Sequence, residues 1–243
     1  MKLEPILAIL GLLLSMGCST SRGRPGVDSG PFSPDHITEF ATLYQQNCAG
    51  CHGADGKGGA AMALANPVFL AISDDDVVRR TIQNGVPSTA MPAFSQSSGG
   101  MLTEKQIDAL VRGIRSWANP DALTHMTPPA YAPKVIGNAQ TGAKAFQTYC
   151  ACCHGIDARG SSKASSIVDG SFLSLVSDRY LRTVVIAGRP ELGAPDWRND
   201  VEGRPMSDQE VTDVVAWLSS QRPIVSRQPS AITFAKQAEG VSQ

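Results

Sequence analysis

A seven-residue block appears twice in the chain. Asn47-Cys48-Ala49-Gly50-Cys51-His52-Gly53 returns as Tyr149-Cys150-Ala151-Cys152-Cys153-His154-Gly155, a shift of 102 residues. The likeness continues outward. Phe69-Leu70 through Arg79 to Gly85 returns as Phe172-Leu173 through Arg182 to Gly188, and Leu102 to Ile107 returns as Met206 to Val211. A repeat of this length fixes the architecture as two related units before any element is assigned.

Each unit closes on a helix whose start and buried face are readable. Thr103 with Gln106, and Ser207 with Glu210, form capping boxes. Behind them Ile107, Leu110, Val111 and Ile114, then Val211, Val214, Val215 and Leu218, fall at the i, i+3, i+4, i+7 spacing of one helix face. Pro120 and Pro223 stand past the two helices as stops. A shorter helical segment leads into each cysteine pair, carrying Phe40 and Tyr44 in one unit and Ala143 and Phe146 in the other. Strand signals are scarce, so the expected class is all-α.

Ahead of the repeat lies an apolar run from Ile6 to Leu14 behind Lys2, too short to span a bilayer and suited to a secretory leader. Cys18 follows Gly17 at its end in a setting that resembles the lipobox of bacterial lipoproteins, with Leu14 one place further back than usual. Two readings stand: lipid attachment at Cys18, or an ordinary cleaved leader with an incidental cysteine. The expected plan is therefore a leader over 1–18, a Ser/Gly/Pro-rich tether over 19–34, and a first domain over 35–119. A stiff Pro-rich connector over 120–136, a second domain over 137–222 and a tail over 223–243 complete it. The expected place is outside the cytoplasm, on the periplasmic side, held to a membrane by lipid. With 21 basic against 22 acidic side chains, nothing in the charge favours nucleic acid as a partner.

C-x-x-C-H occurs at Cys48 to His52 and again at Cys150 to His154. It is the attachment signature of c-type haem: on one helical turn two thiols meet the two vinyl groups of one porphyrin, and the next residue sets an imidazole under the iron. Zinc ribbons space their pairs by only about 15–20 residues, and structural disulfides do not call for the trailing histidine. Two covalent haems would also fill space that an aromatic content of 6% leaves open.

The sixth ligand separates a carrier from a ligand-binding haem. In the first unit Gly85 to Phe94 presents Met91-Pro92 like the distal loop of class I cytochromes c, with Met91 as thioether donor and Met62 and Met101 as packing residues. In the second unit Ala194 falls where Met91 stands. Its iron is then five-coordinate or takes a ligand from elsewhere, Met206, His125, Met126 and His36 being the candidates. Met206 aligns with Leu102 and reads better as packing. Cys152 reads as a small buried or half-buried thiol, and Arg189, Arg198, Asp196 and Asp200 as a solvated rim.

On these motifs residues 35–222 resemble tandem dihaem class I cytochromes c. The resemblance implies two small helical domains, each wrapped around one covalent haem with an exposed edge. Cys48, Cys51, Cys150 and Cys153 would be the attachment points, and His52, Met91 and His154 axial ligands. It implies a one-electron carrier or carrier subunit in a respiratory chain, not an enzyme, with redox proteins or a membrane respiratory complex as partners. The alternative is a haem enzyme or small-ligand binder that uses an open position on the second iron.

Overall fold

The computed structural model describes residues 33–223 apart from Ser88, His125, Asp200 and Glu202. The expected leader with Cys18, the tether up to residue 32, the tail beyond 223, His125 and Asp200 lie outside the described residues. Contacts divide the chain into Met1–Ile37 and Thr38–Gln243. Of the first unit, the described part is a 3-10 turn over Pro34–His36 that leaves His36 exposed. The second unit, Thr38–Gln243, carries both copies of the repeat.

The described residues contain helices and no strand, with pairing limited to the isolated bridges Ser95–Leu102, Gly160–Ser165 and Arg189–Ala194. The all-α expectation holds. The first half of the unit runs α1 (Phe40–Asn47), α2 (Ala49–His52), α3 (Pro67–Ile72), α4 (Asp75–Asn84) and α5 (Glu104–Arg115). The second half repeats the order: α6 (Ala139–Tyr149), α7 (Ala151–His154), α8 (Gly170–Leu175), α9 (Asp178–Ala187) and α10 (Asp208–Ser220).

Local chemistry sets these boundaries. Asn66 and Asp169 cap α3 and α8, each side chain accepting from the two backbone N–H groups that begin the helix. Asp74 and Ser177 cap α4 and α9 with one bond each, accepting from Val77 N–H and Tyr180 N–H. Both expected capping boxes form, with Thr103 and Gln106 reciprocating on α5 and Ser207 and Glu210 on α10. Helices α4 and α9 stop at Gly85 and Gly188, whose φ of +63° and +68° are open to glycine and strained for other residues.

The core of each half lies where its last helix crosses its first. Ile107, Leu110, Val111 and Ile114 of α5 are buried, as are Val211, Val214, Val215 and Leu218 of α10, as their spacing predicts. Burial of one such side chain contributes about 1.5–3 kcal/mol. In the first half Trp117 meets Phe40 and Tyr44 edge-on, with centroids 5.3 and 5.0 Å apart, and in the second Phe146 packs on Trp217 at 4.5 Å.

Three packing expectations are corrected. Met101 is 76% exposed in the turn before α5, so it is not a packing residue, whereas Met62 is buried as expected. The connector, expected to be extended and stiff, is not extended at its start. Its start, Pro120–Leu123, is a 3-10 turn lying against α3, and Ala130 is held by both Arg182 and Asp208 of the second half. Arg189, read as part of a solvated rim, is 8% exposed, because its fork finds backbone acceptors in the first half.

Candidate functional site

Each C-x-x-C-H occupies one tight helical turn entered from the preceding helix. Cys51 N–H and His52 N–H donate to the Cys48 carbonyl at 3.1 and 3.0 Å, and Cys153 and His154 repeat both bonds on Cys150 at the same distances. The i, i+3, i+4 placement puts both thiols and the imidazole on one side of the turn. Gly53 and Gly155 end it with φ of +82° and +78°. A Cβ on Gly53 would fall 1.6 Å from the Lys57 carbonyl oxygen, so the chain after the histidine doubles back against the turn only with glycine there.

The imidazoles are oriented alike. His52 Nδ1 lies 2.7 Å from the Met62 carbonyl oxygen, and His154 Nδ1 lies 2.9 Å from that of Ser165. A carbonyl only accepts, so Nδ1 carries the proton in both rings and Nε2 keeps its lone pair for a metal. Burial holds His52 below the usual histidine range; the Met62 carbonyl pulls the other way, and the Arg189 cation adds to the lowering. The ring is thus held neutral, as ligation requires.

Cys48 is more sheltered than Cys51, while Cys150 and Cys153 are both half-buried. Burial pushes Cys48 up to about 12, with Cys51 adding, and burial pushes Cys150 up to about 12, with Cys152 and Cys153 adding. No disulfide joins the described cysteines. Cys152 is exposed, not sheltered as expected, since its place in the turn faces outward from the pair it interrupts; its Sγ lies 3.7 Å from that of Cys153.

The distal loops correspond in detail. Val86 N–H donates to the Met91 carbonyl at 3.0 Å, and Arg189 N–H donates to the Ala194 carbonyl at 3.0 Å. Leu102 N–H reaches the Phe94 carbonyl, and Met206 N–H the Trp197 carbonyl, at 2.7 and 2.8 Å. Ala194 therefore occupies the Met91 place in space as well as in sequence. Met206 is buried in the place of Leu102, and Met126 is exposed in the connector. Thr89 Oγ1 accepts from Met91 N–H at 3.2 Å and fixes that loop.

The donor set fits covalent haem in both halves: paired thiols without a disulfide, one imidazole per turn whose Nε2 keeps its lone pair, and, in the first half, the Met91 thioether. Among the described residues no three His, Cys, Asp or Glu side chains converge on a metal position. No helix among them is long and apolar enough to cross a membrane. Besides Met101 and Cys152, sequence reasoning misplaced Arg189. Its signal was a cation, with Glu191 two places on, standing where the first half has Val86.

Set beside known proteins, residues 35–112 and 137–218 match the family described as "Cytochrome C oxidase, cbb3-type, subunit III". The cbb3-type cytochrome c oxidase subunit CcoP of Azospirillum sp. is 31% identical over 140 residues, 53% of this chain and 42% of that protein. The subunit FixP of Rhizobium etli is 30% identical over 170 residues, 61% of this chain and 50% of that protein. Cytochrome c6 of Synechococcus sp. is 31% identical over 94 residues, 34% of this chain and 75% of that protein. The chain spans about half the length of these two cbb3-type relatives.

Proposed function

The chain belongs to the cytochrome c oxidase, cbb3-type, subunit III family, and we propose from that membership that it carries single electrons on two covalent haem c groups. One sits in a domain over residues 35–119 and the other in a domain over 137–222. When bound, haem c supplies an iron that alternates between ferric and ferrous states. Cys48 and Cys51, and Cys150 and Cys153, hold the groups through thioethers. His52 and His154 would give Nε2 to the irons, and Met91 would give its sulfur to the first. The hydrogen-bonded turns and the anchored rings would hold these ligating atoms in place, which would keep reorganisation small.

The single observation behind this reading is the matched pair of Nδ1–carbonyl bonds on His52 and His154, which leaves both Nε2 atoms as donors at equivalent places. The protein works on the periplasmic side, exported by residues 1–18 and tied to the membrane through lipid on Cys18. There it exchanges electrons with redox proteins or with a membrane respiratory complex of the kind its relatives are named for. Haem per chain, measured by absorbance after denaturing extraction of the free pigment, tests the reading. Two haems stay with the chain and one is lost in Cys150→Ser/Cys153→Ser; no retained haem overturns it.

Ala194 supports a second reading, in which the second iron keeps an open position for a small ligand. Carbon monoxide added to the reduced protein then binds half of the haem. Binding to none of it means that both irons are six-coordinate and sinks that reading.

A further inference from the structure

We propose that Arg189 is a positioning residue for His52, acting across the two halves of the folded unit by holding the backbone segment that orients the imidazole. The proposal rests on His52 being an axial ligand, as read above. Arg189 stands in the distal loop of the second half, bridged to Ala194 by backbone bonds of 3.0 Å in both directions. Its side chain leaves that loop. Nη2 donates to the Gly59 carbonyl at 2.7 Å, Nη1 points at the Ala60 carbonyl at 3.5 Å, and Nε pairs with the Glu191 carboxylate.

The segment it grips is the one that sets His52. Ala61 N–H donates to the Cys51 carbonyl at 2.9 Å, and the Met62 carbonyl accepts from His52 Nδ1 at 2.7 Å. Gly59 lies so close to the attachment turn that a Cβ there would sit 2.1 Å from the Cys51 carbonyl oxygen. From Arg189 to the imidazole the path is therefore one hydrogen bond, three residues of backbone and a second hydrogen bond. Asn66 Nδ2, donating to the Ala187 carbonyl at 2.9 Å, closes the same seam and limits slip between the halves.

The dependence runs one way. In the second half the matching segment is held from within: Ser161 N–H donates to the Ala164 carbonyl at 2.9 Å, Gly160 bridges Ser165, and Ser165 orients His154. The first half has Val86 where the second has Arg189, and valine has no donor to reach across. A buried guanidinium needs every N–H supplied with an acceptor. Here Glu191 neutralises the charge at Nε, and Nη1 and Nη2 each turn a donor to the segment behind His52. Groups that anchor a ligating histidine through its second nitrogen tune the metal they do not touch.

The test uses the full chain as wild type, Arg189→Ala, Arg189→Lys and Glu191→Gln, after haem per chain has been counted. Three quantities are read: the midpoint potential of each haem, the paramagnetically shifted resonances of the His52 ring, and hydrogen exchange at Ala61 N–H. In Arg189→Ala the His52 resonances move and the first haem's potential shifts while the second haem's holds. Exchange at Ala61 N–H rises about tenfold, the equivalent of one lost hydrogen bond. Arg189→Lys, which keeps the charge without the fork, restores only part, and Glu191→Gln gives a weaker version of the alanine effect. A two-haem Arg189→Ala protein with unchanged His52 resonances, or with both potentials displaced equally, overturns this proposal alone. A wild-type chain without haem overturns the function proposed above, and the role of Arg189 with it.

Discussion

Gly113 leaves no room for a methyl group against Phe40: a Cβ there would lie 2.0 Å from Cδ2 of the ring. The second half has the same crossing of first and last helices with the sizes exchanged. Gly142 takes the Phe40 position and Trp217 the Gly113 position, and a Cβ on Gly142 would lie 1.9 Å from the Asp213 carbonyl oxygen and 2.9 Å from the Trp217 Cβ. Alanine at Gly113 or Gly142 gains about 1 kcal/mol of helix propensity, but overpacking costs about 1–3 kcal/mol, and at Gly142 the obstacle is backbone that has nowhere to go. Both variants are expected to unfold at lower denaturant, Gly142→Ala the more so. Gly142→Phe with Trp217→Gly, which imports the first half's arrangement, is expected to recover part of what Gly142→Phe loses alone. A double-mutant cycle of chemical unfolding measures the recovery.

Asp213 fastens α10 to the start of α6. Its carboxylate accepts from Asn138 N–H at 2.8 Å, Thr141 Oγ1 at 2.7 Å and Gln209 Nε2 at 2.8 Å. Burial pushes the group up, but these three donors together outweigh burial and hold it below the usual aspartate value of 3.8. Because the folded state binds the proton less readily than the unfolded one, the contribution is complete above that value and fades as pH falls through the lower folded one. Asp213→Asn is therefore expected to lose about 1.5–3 kcal/mol near neutral pH. The gap to wild type should narrow below about pH 4. Unfolding curves across pH 2.5–7, approximate bounds set by the same carboxylate range, decide it; a constant gap would falsify the linkage.

Features governed by short-range rules were legible in the sequence. Capping boxes, buried helix faces and the attachment turns depend on residues within a few places of each other, so the repeat displayed them twice. Contacts set by tertiary approach were not. Arg115 in the last turn of α5 donates to Asp75 and to the Ser73 carbonyl at 2.7 and 2.8 Å. Arg222, beyond the end of α10, does the equivalent work on Asp178 and on the Leu173 and Val176 carbonyls. The two arginines are not at matching repeat positions, so no alignment pairs them; only the fold brings both to the same helix junction. Arg189 escaped for the same reason, since its acceptors lie about 130 residues earlier in the chain. Cys152 and Met101 show the reverse error, apolar character read as burial where the local backbone turns outward.

The Arg182 guanidinium is 2% exposed as a residue and depends on three partners: Asp208, the Thr212 hydroxyl at 2.8 Å and the Ala130 carbonyl at 2.9 Å. Asp208 also accepts from Ala130 N–H at 3.2 Å, so one carboxylate holds both the buried cation and the connector. Removing it strands a buried charge. Asp208→Ala is expected to destabilise the second half by about 2–3 kcal/mol, below the figure for a wholly buried pair because the carboxylate is partly exposed. It should also open residues 126–136 to protease, read as the rate of first cleavage. A connector no more sensitive than in wild type would contradict the clamp.

Met91 and Ala194 occupy the same place in equivalent loops, so exchanging them isolates the ligand from its surroundings. Thr89 and Gly85 shape the Met91 loop, and a Cβ on Gly85 would sit 2.5 Å from the Pro92 carbonyl carbon, so the backbone is fixed independently of the residue at 91. Met91→Ala should therefore keep the fold, lose His/Met ligation at the first haem and lower its potential, since a thioether favours the ferrous state. The reduced variant should then bind carbon monoxide at that haem as well. Ala194→Met is the converse. Arg189 N–H meets the Ala194 carbonyl at the same 3.0 Å as Val86 N–H meets that of Met91, so a methionine at 194 would stand in its loop as Met91 does in the first and would be placed to ligate the second haem. Its potential should rise and any carbon monoxide binding at that haem should be suppressed. If Ala194→Met leaves the second haem's spectrum and potential untouched, a different side chain already fills the sixth position, and Met206, buried and tied by its backbone to Trp197 of that loop, is the first to replace.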